Sequence, residues 1–127
     1  MKVKCINTER LSKDGKYLAL TVGKEYTVLA IEFYDKSISL FSNSVDDFVL
    51  YRLKDNDGVV IPYPSKLFCI VSGKLPSCWV SYKIGHDLYS ILPNVWAREY
   101  FWDDYYNDDK IAQDEFEKAE REILLES

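Results

Sequence analysis

The chain has 127 residues and a formal net charge of −5 at pH 7, and 47% of its residues are hydrophobic. Its length is that of one ordinary domain, and its apolar content excludes an intrinsically disordered chain. No apolar stretch approaches the roughly 20 residues of a membrane span, and the N-terminal region lacks the apolar core of a signal peptide. We therefore predict one cytoplasmic domain over residues 1–127, with no membrane partner.

Charge is unevenly distributed along the chain. From Glu99 to Ser127 there are eleven acidic and three basic residues, a net of −8, whereas residues 1–98 have ten acids and thirteen bases, a net of +3. An acidic segment repels nucleic acid and attracts basic protein surfaces. The basic residues of the first part are scattered, with no stripe interleaved with aromatic residues, so we expect no direct nucleic-acid binding.

The three cysteines, Cys5, Cys69 and Cys78, are odd in number and form no CxxC motif. This pattern argues against a disulfide framework and against a zinc knuckle. Free cysteine is among the most frequently buried residue types, so we predict three buried, reduced thiols.

Residues 1–92 have the pattern of short strands separated by turns. The early strands are predicted at 2–7, 17–20 and 25–33, the last of these being rich in β-branched and aromatic residues. After a turn at 34–36, a weaker strand is expected at 37–41 and a loop at 42–46.

Two hairpins are predicted in the second half of this region. The segment 47–54 alternates with period two and leads through Asp55-Asn56-Asp57-Gly58, a strong turn signal, into 59–63. Pro62 and Pro64 end that strand or confine it to an edge, and a helical turn at 65–68 then precedes a strand at 69–72. The second hairpin pairs 79–84 with 88–92 around Gly85-His86-Asp87.

After Pro93 the hydrophobic period changes to that of a helix. Asn94 is the predicted cap of a first helical stretch, and Asp108 or Asp109 is the predicted cap of a longer helix reaching about Glu126. One apolar stripe of that helix, suited to docking on a core, consists of Ala112, Phe116, Ala119 and Ile123. The fold class is therefore predicted to be α+β, with a helical segment at 93–127.

No catalytic apparatus is recognisable in the sequence. The single histidine, His86, lies in a predicted hairpin tip without an indicated partner, and a cysteine nucleophile needs an activating base. Glycine-rich phosphate loops are absent from the sequence. The Asp55 to Asp57 stretch lacks the alternation and the closing glutamate of a calcium loop. We expect no enzyme, no cofactor and no metal.

The most unusual segment contains four aspartates and two tyrosines within seven residues. Its carboxylates can contact lysines and arginines of a partner while the rings provide rigid contact area. Alternatively, the acids solvate an interhelical loop and cap the next helix while the rings pack inward. Both interpretations stay open, and the candidate binding residues are Asp103, Asp104, Tyr105, Tyr106, Asp108 and Asp109.

Four other aromatic residues allow two interpretations. Tyr63, Trp79, Tyr82 and Trp96 can form a groove for a proline-rich peptide. Their alternation with polar neighbours favours a place in the core.

Three stretches resemble small bacterial SH3-like β-barrel proteins. Residues 20–28, LTVGKEYTV, are similar to the LTxGKxYxV opening of these proteins, and residues 51–58 with 63–68 are similar to their DDxG…YPxxLF hairpin and turn. Residues 91–96 with 101–106 are similar to the P..W…FWE.Y segment that follows the barrel. The group usually has glycine before the Phe-Trp pair and often has glutamate after it, where this chain has Tyr100 and Asp103.

The resemblance implies an SH3-like antiparallel β-barrel over 1–92, followed by one or two C-terminal α-helices over 93–127. Proteins of this kind recur among immunity proteins of bacterial toxin systems, including contact-dependent growth inhibition. The resemblance thus implies a protein that binds and neutralises a cognate toxin domain by covering its active site. With the −8 segment, we expect a basic RNase or DNase toxin, because a site built for phosphates is cationic. The alternative is an SH3-like peptide-binding or scaffold module acting through Tyr63 and Trp79.

Overall fold

A computed structural model of the chain describes residues 1–10, 14–34, 49–84 and 88–127, and it shows an α+β fold. Within these ranges an antiparallel sheet precedes two helices, as predicted. The strands are β1 (Lys2–Cys5), β2 (Glu25–Tyr34), β3 (Val49–Lys54), β4 (Val60–Pro64), β5 (Phe68–Ser72), β6 (Trp79–Ile84) and β7 (Leu88–Pro93). The helices are α1 (Phe101–Tyr106) and α2 (Lys110–Glu126), and 3₁₀ turns are formed by Ser65–Leu67 and Asn94–Trp96.

The long strand β2 organises the sheet. Along one edge it pairs with β3, and along the other edge it pairs first with β1, through Thr27, and then with β7, through Ile31. The resulting order is β4-β3-β2-β1-β5, with β6 attached to β7. Pairing between the described strands does not join β4 to β5 or to β6, so they form no closed barrel. The antiparallel α+β class is confirmed, and the SH3-like barrel stays a prediction.

A register shift in β2 between Val28 and Ala30 gives the sheet two buried faces. Leu29 is the extra residue, as in a β-bulge. Val28 and Ile31 pack in a first core, whereas Leu29 and Ala30 pack in a second core with the helices. The first core also includes Val3, Cys5, Tyr26, Leu53, Tyr63 and Phe68. The second core also includes Leu92, Trp96, Phe101, Phe116 and Ile123.

Helix α2 agrees with its prediction at both the cap and the buried stripe. The side chain of Asp109 accepts a hydrogen bond of 3.0 Å from the Ala112 N–H, which satisfies one of the free donors at the helix start. The four predicted stripe residues are all buried: Ala112, Phe116, Ala119 and Ile123. Among the described helices, none has the combined length and apolar character that crossing a bilayer requires.

The strands of both predicted hairpins pair as expected, β3 with β4 and β6 with β7. Asp55 Oδ1 accepts hydrogen bonds from the N–H groups of Asp57, at 2.9 Å, and Val59, at 3.1 Å, which fixes the turn between β3 and β4. Pro62 and Pro64 lie in β4, which pairs only with β3 among the described strands and is therefore an edge. The predicted helical turn before β5 is also present.

Three local predictions are wrong. Residues 17–20 form no strand, because their backbone groups bond to turns instead: Tyr17 N–H donates to the Thr8 carbonyl and the Ala19 carbonyl accepts from Asn56. Asn94 caps no α-helix, because its N–H bonds to the Cys78 carbonyl and continues the β6–β7 pairing.

The third error concerns the thiols. Cys5 is buried and Cys78 is half-buried, but Cys69 is exposed, because it lies on the edge strand β5. The expected strand at 37–41, the loop at 42–46 and the hairpin tip at His86 lie outside the described residues.

Candidate functional site

The acidic segment, residues 103–109, runs from the first turn of α1 to the residue that precedes α2. Its position is set by a buried cation of the sheet. Arg52 of β3 donates a hydrogen bond of 2.6 Å to Glu32 of β2, and their side chains are 8% and 1% exposed. The guanidinium carbon lies 4.0 Å from the centre of the Trp102 ring, and Nη1 donates to the Tyr106 hydroxyl at 2.7 Å. That hydroxyl donates in turn to the Val60 carbonyl. Helix α1 is thus held to the sheet by a cation–π contact and a chain of hydrogen bonds.

The two tyrosines of the segment pack inward to different extents. The Tyr105 ring stacks on Phe116, with 4.6 Å between ring centres, and burial raises the pKa of its hydroxyl. Tyr106 is 47% exposed, although its hydroxyl is hydrogen-bonded to Arg52 and Val60. Burial raises the pKa of this hydroxyl, and the charge of Arg52 opposes the rise. The structure therefore favours the inward interpretation for Tyr105 and leaves part of the Tyr106 ring accessible.

Two of the four aspartates have structural partners within the chain. Asp104 Oδ2 accepts from Arg98 Nη1 at 2.8 Å, and Arg98 Nη2 also donates to Glu115 Oε1 at 3.0 Å, which joins α1 to α2. These hydrogen bonds raise the pKa of the Arg98 guanidinium. Asp109 is the cap of α2. Asp104 and Asp109 are therefore accounted for by the fold.

The other two aspartates present charge to solvent. Asp103 is exposed, and within the described ranges its side chain makes no hydrogen bond or ion pair. Asp108 is exposed, has a φ of 61°, and accepts a hydrogen bond of 3.0 Å from the neutral Gln113 amide. No described cation neutralises either carboxylate.

The acids of residues 99–127 as a whole also divide into those with partners in the chain and those exposed to solvent. Of its eleven acids, three form ion pairs between described residues: Asp104 and Glu115 with Arg98, and Glu120 with Lys54. Seven are exposed: Glu99, Asp103, Asp108, Asp109, Asp114, Glu117 and Glu122. Most of the negative charge is therefore available to a partner.

A cleft of about 390 Å³ lies beside Asp103. Tyr100, Phe101 and Trp102 provide its apolar part, and Glu99 and Asp103 provide carboxylates. Aromatic faces next to carboxylates can receive a lysine or arginine side chain through cation–π and charge-assisted contacts. Arg98 also lines the cleft, but its guanidinium is bound to Asp104 and Glu115.

The residues considered for chemistry are not assembled into a site in the part of the chain that is described. No group of three or more His, Cys, Asp or Glu side chains there is placed to hold a metal ion. Burial raises the pKa of the Cys5 and Cys78 thiols, which disfavours the thiolate that a nucleophile needs. Asp55 is buried and accepts from the Tyr63 hydroxyl at 2.8 Å. His86 lies outside the described residues.

The four residues of the possible peptide groove are divided between the two cores. Tyr63 is buried in the first core and Trp79 packs against it, whereas Trp96 is buried in the second core and Tyr82 packs against that one. The Trp96 indole N–H donates to the Glu115 carbonyl at 3.1 Å. The interpretation as core residues is therefore the better one, and the four do not line a common groove.

Sequence reasoning missed Glu32 and Arg52, although a signal for them exists. Each is a charge with apolar neighbours on both sides within a strand, Glu32 between Ile31 and Phe33 and Arg52 between Tyr51 and Leu53. Opposite charges in two neighbouring strands of this kind indicate a buried pair, because either one alone would be costly to bury. The cleft residues Glu99 and Tyr100 carried no comparable signal.

Comparison of the chain with models of protein families, with curated proteins and with solved structures gives no match.

Proposed function

We propose that this chain is an immunity protein that acts in the cytoplasm, binding a cationic toxin domain and covering its active site. The observation that carries the proposal is the state of Asp103 and Asp108: both are exposed, and no described cation neutralises them. They lie within residues 99–127, which have a net charge of −8. The acids of this part that form ion pairs hold elements of the fold together. A basic RNase or DNase fits this surface, because its phosphate-binding site is cationic.

The surroundings of these carboxylates suit a preorganised contact. Helix α1, which carries Asp103, is fixed to the sheet through Arg52, Trp102 and Tyr106. A surface that is already rigid loses less conformational entropy when it binds. A lysine or arginine of the toxin would enter the cleft beside Asp103, with the exposed Tyr100 offering an aromatic ring. The remaining exposed acids would raise the association rate.

We also propose that the sheet belongs to the SH3-like barrel class. Two features support this assignment. Strand β2 changes neighbours from β1 to β7 along its length and contains a bulge, which is the way a sheet curves. A single 3₁₀ turn, Ser65–Leu67, joins β4 to β5, as the resemblance implies.

The test is co-expression with candidate toxins encoded beside this gene, followed by measurement of complex affinity. The informative variant is Asp103→Lys with Asp108→Lys, because reversing Asp104 or Asp109 would also remove contacts that hold α1 and α2. The matched control is Asp14→Lys with Glu25→Lys, which changes the net charge equally at two exposed acids of the sheet region.

We expect the first variant to weaken binding by at least about tenfold, and more at about 50 mM than at about 300 mM salt, because salt screens exposed charges. The control should change affinity by about twofold or less. Equal effects of the two variants would remove the acidic segment from the mechanism. The absence of protection by the unaltered protein against every neighbouring toxin would contradict the immunity function.

The second candidate, a peptide-binding module, is favoured by a different cleft of about 430 Å³. It is lined by Tyr17, Leu18, Pro62 and Tyr63, and the Leu18 side chain is 93% exposed. Trp79, expected to act with Tyr63, does not line it. This function predicts affinity for proline-rich peptides that Leu18→Asp abolishes and that salt changes little. Peptide arrays screened with the unaltered protein and with the Leu18→Asp variant distinguish the peptide-binding function from the immunity function.

A further inference from the structure

The sheet has three edge strands among the described residues, and one of them differs from the others. Strands β4, β5 and β6 each pair along one side only. Proteins usually protect such edges with proline, with charged residues or with β-bulges. Strand β4 contains Pro62 and Pro64, and β6 contains Lys83, whereas β5 contains neither a proline nor a charged residue and has only a register shift against β1 at Val71.

The side chains of β5 are suited to strand pairing and are accessible. Ile70 is 58% exposed and Val71 is 48% exposed, and both are β-branched residues that favour strands. Cys69 is exposed as well. Ile6 and Leu75, close to the two ends of β5 in the fold, extend the exposed apolar surface. These side chains are therefore accessible to a partner chain, and residues 68–70 of β5 keep a regular register on β1.

The charges around this edge are all positive on the two nearest segments. The stretches 1–8 and 65–77 contain four lysines and no acid, although the whole chain has a net charge of −5. The lysines are Lys2, Lys4, Lys66 and Lys74, of which Lys66 already has an interaction within the chain. Lys4 is the register partner of Cys69, the second residue of β5, so it lies directly beside the start of that strand. Among the described acids, Glu25 of β2 pairs with Lys4, and Glu126 of α2 accepts a hydrogen bond from Ser77.

We propose that β5 is a docking edge to which an extended, acidic segment of another protein adds as a further strand. Main-chain hydrogen bonds would supply affinity along residues 68–70, where β5 keeps a regular register, and Lys4 and Lys74 would select an acidic sequence. This surface is separate from the acidic segment, and the inference does not rest on the immunity function.

A second copy of this chain fits the edge less well than an acidic segment does. If β5 of one copy paired with β5 of another, the lysines beside the strand, among them Lys4 and Lys74, would come close to the same lysines of the other copy. Like charges that are brought together repel each other. Charge therefore favours a partner of opposite sign.

The test uses three short, end-blocked peptides on the full chain. The first alternates glutamate with valine, the second alternates lysine with valine, and the third is the acidic peptide with N-methyl groups on alternate amides, which keeps its charge and removes ladder donors. Affinity is measured by fluorescence anisotropy, and the bound site is located by amide hydrogen exchange.

We expect the acidic peptide to bind at least about tenfold more tightly than the basic and the N-methylated peptides, and to slow exchange in β5. Lys4→Glu with Lys74→Glu should weaken its binding by about tenfold, whereas Lys110→Glu with Lys118→Glu, the same charge change on α2, should have about a twofold effect. If both double substitutions weakened peptide binding equally, the effect would come from net charge alone and not from the lysines beside β5. Undiminished binding of the N-methylated peptide, binding of the acidic peptide no tighter than the basic one, or exchange protection outside β5 would each overturn the proposal.

Discussion

Arg52 and Glu32 form an ion pair inside the protein, with 2.6 Å between Arg52 Nε and Glu32 Oε2. The two residues come from neighbouring strands, and the same guanidinium contacts Trp102 and Tyr106 of α1. Burying two charges costs solvation free energy that their attraction repays only when the geometry is good and the remaining donors are bonded. Here the remaining contacts of Arg52 go to the helix that carries the candidate site. The pair therefore links the sheet to the acidic segment.

Breaking this pair from one side should be strongly destabilising. Arg52→Met leaves the Glu32 carboxylate buried without its cation, and we expect a loss of about 3–5 kcal/mol in the free energy of unfolding, measured by urea denaturation. Replacing both residues, Glu32→Leu with Arg52→Met, should recover part of that loss, because no charge remains buried. A loss below about 1 kcal/mol for Arg52→Met alone would show that the pair does not hold the fold.

Tyr100 is a position where the sequence departs from the backbone that it adopts. It has a φ of 62°, in the left-handed region that glycine occupies without strain, and the resembled proteins usually have glycine there. We expect Tyr100→Gly to raise the free energy of unfolding by about 1 kcal/mol. Tyr100→Ala is the matched control, since it removes the ring and keeps the Cβ. If alanine stabilised as much as glycine, the gain would come from the ring and not from the backbone.

What the sequence predicted correctly depends mainly on local interactions. The Asp109 cap, the Ala112 to Ile123 stripe and the Asp55 turn are each decided by residues within a few positions of one another, and the structure has all three. The candidate Asp103 and Asp108 were also recognisable as members of an unusual acidic run.

What the sequence did not predict depends on residues distant in the chain. The backbone of 17–20 bonds to Thr8 and Asn56 and not to a neighbouring strand, which no local pattern reveals. The division of the four aspartates into structural and exposed ones depends on Arg98 and on the exact start of α2. The exposure of Cys69 follows from β5 being an edge, a property of sheet order.

The division of the aspartates can be tested by stability alone. Asp109→Ala removes the cap of α2 and should cost about 1 kcal/mol in the free energy of unfolding. Asp103→Ala removes a side chain without a described partner and should change it by less than about 0.5 kcal/mol. Urea denaturation of both variants checks the contrast. A cost at Asp103 equal to that at Asp109 would show that Asp103 has a structural role.

Stability should fall at alkaline pH. Burial raises the pKa of several tyrosine hydroxyls above the ordinary value: Tyr34, Tyr51, Tyr63, Tyr105 and Tyr106. In the unfolded chain they ionise near pH 10. The folded chain keeps these protons to higher pH than the unfolded chain does. The free energy of unfolding should therefore keep its neutral-pH value up to about pH 9 and decline above about pH 10.

The variant Tyr63→Phe removes one of these groups, whose pKa is also raised by its hydrogen bond to Asp55. This variant should reduce the slope with which the free energy of unfolding declines above about pH 10, by about 1.4 kcal/mol per pH unit. At neutral pH it should lower the free energy of unfolding, because the hydrogen bond to Asp55 is lost. Urea denaturation from about pH 8 to about pH 11 measures both slopes. Parallel slopes for the two proteins would contradict the assignment to Tyr63.

Carbodiimide labelling of carboxylates in the free protein and in its complex with a toxin domain measures whether the exposed acids near α1 meet a cationic partner. We expect labelling of Asp103 and Asp108 to fall severalfold in the complex, while that of Asp14 and Glu25 is unchanged. Unchanged labelling of Asp103 and Asp108 in a stable, neutralising complex would contradict it.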